Sequence, residues 1–140
     1  MSIVLDASVV AALVIPLPYS TPAAHKMTIW QTTKIDLFAP TLLEYEVITV
    51  MHKAIFAKIM DASEASDALE NVLALGIRTV VPTKPLHNSA LRWSELLNQK
   101  VAYDAQYLAL AEQLGAQFWT ADQRLTNGAQ QAGATWVHWI

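Results

Sequence analysis

Residues 3–8, Ile3-Val4-Leu5-Asp6-Ala7-Ser8, decide how the chain folds. Three consecutive apolar residues, two of them β-branched, read as a short strand buried on both faces, with a carboxylate at its end. The pattern returns at Gln117-Phe118-Trp119-Thr120-Ala121-Asp122. Asp36-Leu37-Phe38-Ala39, closed by Pro40, reads as another strand, and 77–81 and 135–140 complete a set of five. Helical patterns fill 8–14, 20–33, 41–59, 62–75, 85–98 and 102–114, and a short helix or turn with Arg124, Leu125 and Ala129 precedes the last strand. This alternation predicts βαβ units, hence a parallel sheet with helices on both faces. At 140 residues, one domain over 1–140 is expected.

Local signals refine the helices. Thr41-Leu42-Leu43-Glu44 and Asp61-Ala62-Ser63-Glu64 both have capping-box spacing, Ser20 and Thr21 open the 20–33 helix, and Gly76 ends the 62–75 helix. Glu44 is thereby assigned a capping role. Glu46 lies about 200° around the helix from it, bordering the apolar stripe of Leu43, Val47, Val50 and Ala54. Asp104 stands one turn before the stripe formed by Tyr107, Leu108, Ala111 and Leu114.

Four carboxylates, Asp6, Glu46, Asp104 and Asp122, are thus embedded in or end apolar segments. A carboxylate drawn toward a low-dielectric interior protonates, finds a cation or accepts several hydrogen bonds. In open parallel sheets, sites form beyond the carboxyl ends of the strands, where Asp6 and Asp122 fall. The four acids therefore read as one pocket for a hard divalent cation, Mg2+ or Mn2+, which prefers oxygen ligands. Ser8, Thr49 and Thr120 are candidates to orient the carboxylates or bound water. Each acid also has a plainer reading: a turn residue at Asp6, a solvated edge at Glu46, a first-turn acid at Asp104 and a helix cap at Asp122.

Composition excludes other classes. The formal charge of −3 argues against nonspecific coating of DNA, but leaving out the four acids raises it to +1, so metal-bridged phosphate remains open. Four scattered glycines form neither GxxxxGK[ST] nor GxGxxG, and four dispersed histidines lack zinc-ligand spacing. With no cysteine, disulfides and thiolate sites are excluded. No run approaches the ~18 to 20 apolar residues of a membrane span, and residues 9–15 lack the basic flank of a signal peptide, so a cytoplasmic location is expected. The 54% apolar content favours self-association, most simply as a homodimer.

Val4-Leu5-Asp6-Ala7-Ser8, Leu42-Leu43-Glu44-Tyr45-Glu46-Val47, the 103–111 stretch Tyr103-Asp104-Ala105-Gln106-Tyr107-Leu108-Ala109-Leu110-Ala111 and Thr120-Ala121-Asp122-Gln123-Arg124-Leu125 together resemble the PIN-domain family, particularly VapC-type toxins. The resemblance spans essentially the whole chain. It implies a PIN-like three-layer α/β/α sandwich with a five-stranded parallel sheet. It also implies a Mg2+- or Mn2+-dependent endoribonuclease whose acidic cluster matches Asp6, Glu46, Asp104 and Asp122, with a cognate antitoxin as partner. Thr49 stands where Asn is common in that family. Asp6 and Asp104 are then the expected direct ligands, with Glu46 and Asp122 holding a second ion or orienting water. Arg92, Lys100 and Arg124 are candidates for contacts to RNA phosphates. The alternative is a PIN-like module that binds RNA or protein with little or no cleavage.

Overall fold

A computed structural model describes all of residues 1–140. In chain order the elements are β1 (Ser2–Leu5), α1 (Ala7–Ala12), α2 (Ser20–Thr32), β2 (Asp36–Pro40), α3 (Leu42–Phe56), α4 (Ala62–Leu73), β3 (Arg78–Val80), α5 (Lys84–Leu96), α6 (Tyr103–Leu114), β4 (Gln117–Thr120), α7 (Gln123–Gln131) and β5 (Val137–Trp139). The strands form one sheet in the order β3-β2-β1-β4-β5, and every pairing is parallel.

Ile3, Val4 and Leu5 are all essentially inaccessible to solvent, as a central parallel strand covered on both faces requires. Edge strand β3 has only three residues, with Arg78 and Thr79 exposed. The right-handed rule for parallel crossovers assigns α1–α4 to one face and α5–α7 to the other. Consistent with this, α1 packs on α2 and α3, and α5 packs on α6. The strand order reverses between β1 and β4. Leu5 is in register with Trp119 there, so the residues that follow each strand emerge side by side at the carboxyl edge.

Several local expectations need correction. Thr41 makes no side-chain cap: its backbone is already helical (φ −55°, ψ −22°), whereas a capping side chain needs an extended backbone to reach the amides of the first turn. Its N–H donates instead to the Val80 carbonyl at 3.2 Å, tying the start of α3 to β3. Glu44 is therefore an exposed first-turn acid with no box to complete. Ser20 does not cap α2 either, because its hydroxyl donates to the Ile15 carbonyl and accepts the Leu17 amide within the preceding turn. Helix α3 stops at Phe56 rather than 59, since Lys58 takes a left-handed conformation (φ 58°) and Ile59 N–H reaches back to the Ala54 carbonyl. With lysine in the place usually held by glycine, the sequence carries no stop signal.

The Asp61 box does form: Glu64 N–H donates to Asp61 Oδ1 at 2.8 Å, and Asp61 N–H donates to Glu64 Oε1 at 3.4 Å. Asp61→Ala should therefore cost about 1 kcal/mol of stability, whereas Thr41→Ala should stay within roughly 0.5 kcal/mol of the parent. Urea unfolding of the two variants checks the contrast; equal losses would restore the Thr41 cap.

Candidate active site

Asp6 caps α1 from the end of β1, and it is only 7% exposed. Oδ1 accepts from Ser8 N at 3.1 Å, Ser8 Oγ at 2.5 Å and Val9 N at 3.3 Å, while Oδ2 accepts from Thr120 Oγ1 at 2.5 Å. The two hydroxyls also join the strands. Ser8 Oγ accepts from Ala121 N and Thr120 Oγ1 accepts from Asp122 N, both at 3.0 Å. Asp122 in turn caps α7, with Oδ1 accepting from Leu125 N at 3.1 Å.

Glu46 and Asp104 approach from helices α3 and α6. The buried Tyr107 hydroxyl donates to Glu46 Oε1 at 2.6 Å, and the Tyr107 ring stacks on Phe118 of β4 at a centroid distance of 6.0 Å. Gln99 Nε2 lies 3.4 Å from Asp104 Oδ2 as its donor. Gln99 is delivered there by a left-handed Asn98 (φ 53°), which folds the end of α5 back so that Gln99 N–H reaches the Ser94 carbonyl. All four acids line one open cavity of about 670 Å3, walled also by Tyr19, Tyr45, Tyr103 and Lys53.

The PIN domain family matches residues 3–130 of the chain. This chain belongs to the PIN domain family. Similar curated proteins are Ribonuclease VapC12 of Mycobacterium tuberculosis, 31% identical over 125 residues (89% of this chain, 90% of the relative), and Ribonuclease VapC3 of Pyrobaculum aerophilum, 31% identical over 132 residues (91% and 94%). The crystal structure of PAE2754 from Pyrobaculum aerophilum superposes with a TM-score of 0.69 at 25% identity, covering 91% of this chain and 79% of that one. Mycobacterium tuberculosis VapC20, a sarcin-ricin loop cleaving toxin, shares the fold with a TM-score of 0.69 at 18% identity, covering 90% and 94%.

In this PIN domain the acids have no cationic side-chain partner, since the two salt bridges, Arg78–Asp36 and Arg92–Glu112, lie elsewhere. Burial pushes the Asp6 carboxyl up to about 6, opposed by its hydrogen bonds and reinforced by the charge of Asp104. Glu46 is raised by burial and by Asp104, against the bond from Tyr107. Asp104 is raised by burial and by Asp122, against the bond from Gln99. These oxygen donors, buried at Asp6, half-buried at Glu46 and Asp104 and exposed at Asp122, are of the type a hard divalent cation prefers.

The remaining lone pairs decide how such an ion would be held. Asp6 Oδ1 is saturated by three donors, whereas Asp6 Oδ2 and Glu46 Oε1 each have one donor, and Glu46 Oε2 and Asp122 Oδ2 have none. No three acidic or histidine side chains stand together at ligating spacing, so the four acids do not form a ready-made cage. An ion there would be held by one or two carboxylates and would keep several waters.

Other expected residues fall differently. Ser8 and Thr120 bond Asp6 directly, but the Thr49 hydroxyl, although on the cavity wall, is spent on the Tyr45 carbonyl at 3.1 Å. Arg92, Lys100 and Arg124 are outside the cavity lining, and Arg92 pairs with Glu112. The cation on the wall is Lys53, two turns along α3 from Glu46, a spacing the sequence displayed. Tyr107 and Gln99 were also missed. An apolar stripe does not reveal that a tyrosine hydroxyl ends on a carboxylate.

The sign of the pH dependence follows from the raised carboxyls. Between about pH 4 and 6 the unfolded chain releases the Asp6 proton that the folded one keeps, and Glu46 and Asp104 act in the same direction, so metal-free stability falls as pH rises. For the buried Asp6 alone the loss is roughly 3 kcal/mol. Thermal melts in EDTA should show this decline. Asp104→Asn, which removes one repelling charge, should melt higher than the parent at pH 7, and an unchanged or lower melting temperature would contradict the electrostatic account.

Proposed function

We propose that the chain is a metal-dependent endoribonuclease that hydrolyses RNA phosphodiester bonds and acts as the toxin of a type II toxin–antitoxin pair. The reading is carried by four acids lining one cavity without a cationic partner, in a chain that belongs to the PIN domain family and resembles VapC ribonucleases. Asp6 and Asp104 would hold Mg2+ or Mn2+, with Glu46 and Asp122 ligating a second ion or orienting water. A bound divalent cation supplies an acidified water and positive charge opposite the phosphate oxygens.

The protein's own groups do the positioning. Ser8 and Thr120 fix Asp6, Tyr107 fixes one oxygen of Glu46 and leaves the other free, and Gln99 orients Asp104. Lys53, exposed on the cavity wall, is placed to meet a phosphate of the incoming strand. No helix is long and apolar enough to cross a membrane. As partners we propose RNA, a second copy of the chain, and an antitoxin that occludes the acids with an Arg or Lys.

Purified Asp104→Asn should keep the fold and lose at least about a hundredfold in Mg2+-supported RNA cleavage. Parental activity in that variant would remove Asp104 from the site. Glu46→Gln should lose activity, whereas Glu44→Gln, altered only at an exposed position, should keep it. Chelation by EDTA should abolish cleavage reversibly; RNA binding without cleavage in any divalent ion would favour the binding-module alternative. Induced expression of the parent should arrest growth and Asp104→Asn should not, so harmless expression of active enzyme would sink the toxin role.

Tyr107→Phe tests the support beneath Glu46, because the ring stack on Phe118 survives while the donated bond is lost. Apparent Mn2+ affinity, followed by titration calorimetry, should fall roughly tenfold with the circular dichroism spectrum unchanged. Parental affinity would show that the bond does not orient Glu46.

A further inference from the structure

A second cavity, of about 430 Å3, opens on the same carboxyl edge of the sheet, beside the ends of β2 and β3. It adjoins the acidic cavity, since Leu42, Tyr45 and Tyr103 wall both. Tyr45 and Tyr103 are 74% and 58% exposed despite their aromatic rings. Pro82 adds an apolar wall, and one polar pair is present: Gln106 Nε2 lies 3.2 Å from His87 Nδ1. When Gln106 donates in that pair, its Oε1 remains an acceptor and His87 Nε2–H remains a donor.

We infer that this cavity is a nucleobase subsite, which takes an unpaired base next to the phosphate held at the acids. A base has flat apolar faces and a hydrogen-bonding rim, and the cavity offers tyrosine rings for the faces and the Gln106–His87 pair for the rim. Its volume lies within the ~300–1,000 Å3 of small-ligand sites. The adjacency argues for this occupant over a free metabolite: a phosphodiester at the acids carries a nucleoside on each side, and the shared wall of Leu42, Tyr45 and Tyr103 offers one of them a place. No lysine or arginine lines this second cavity, so it suits a base rather than another phosphate. A base can enter only if it is unstacked and unpaired, so the substrate segment is single-stranded, as in a loop or an open end. The inference rests on the nuclease reading for the identity of the neighbouring phosphate.

The test uses the full chain and the variants His87→Ala and Gln106→Ala, whose side chains line only the second cavity. Short fluorescein-labelled oligoribonucleotides of A, C, G or U are titrated in Ca2+ by anisotropy and cleaved in Mg2+. The best binder is then resynthesised with an abasic residue at each position in turn. Each variant should weaken the intact strand about tenfold at unchanged melting temperature, and the loss should disappear when one particular position is abasic. Variants that bind every strand like the parent, or lose equally wherever the abasic residue stands, overturn the subsite. So does a change in light-scattering mass with RNA binding untouched, which would assign the cavity to a protein contact. Base-dependent binding lost in both variants, with no strand cleaved in any ion, would retain the subsite and refute the nuclease. Normal cleavage by both variants would do the reverse.

Discussion

Thr120 Oγ1 donates to Asp6 Oδ2 across the two central strands, and the geometry of the site depends on that bond. A carboxylate 7% exposed at the end of β1 would cost several kcal/mol if left without donors. The fold supplies two hydroxyls and the first amides of α1. Because Thr120 is fully buried and its oxygen also accepts from Asp122 N–H, placing Asp6 places the start of α7 as well. Ser8 repeats the device from the first turn of α1, bonding Asp6 and Ala121. The point where strand order reverses is therefore stitched by side chains, and the cavity opens above the stitch.

Satisfying Asp6 does not neutralise it. Hydrogen bonds lower the cost of the charge, but burial still dominates, and Asp104 adds repulsion. Glu46 and Asp104 carry the same imbalance, each with one side-chain donor and no cation. A sheet needing only stability would place apolar groups here, as it does along the rest of β1. Retaining acids that oppose their own ionisation costs stability, and it sets this end of the sheet apart from the rest of β1. The surrounding core, a continuous cluster of 33 buried residues that includes Tyr107 and Phe118, offsets that cost.

The sheet was legible because it rests on strong local signals, apolar runs of strand length. The shared cavity of the four acids was legible from carboxylates where two such runs end, Asp6 and Asp122, and beside the apolar stripes of two helices, Glu46 and Asp104. Helix ends were less legible. Lys34, Lys58 and Asn98 turn the chain with positive φ where glycine would announce it, so the sequence pattern runs α3 three residues past its end at Phe56. The Thr41 box failed because spacing cannot report backbone conformation: Thr41 is held to β3 in a helical conformation, while Asp61, with the same spacing, is extended. Basic residues were the least legible. Arg92, a candidate phosphate contact, spends its charge on Glu112, whereas Lys53 comes to the cavity wall through two turns of α3.

The plain and functional readings of the strand-end aspartates are not rivals. A cap needs an acceptor beside the first amides of a helix, and at both Asp6 and Asp122 Oδ1 performs that task. A carboxylate has a second oxygen. At Asp122 it has no protein donor, and at Asp6 it has one, so each retains capacity to face a cation while the first oxygen fixes the group in place. Serine or threonine would cap as well but would carry no charge, and asparagine would direct an amide toward the cavity. Aspartate caps the helix and still leaves a charged group on the cavity lining. Parallel strands feeding helices at one edge thus produce oriented carboxylates as a by-product of ending strands and starting helices, and only Glu46 and Asp104, placed on helix faces, require positioning of their own.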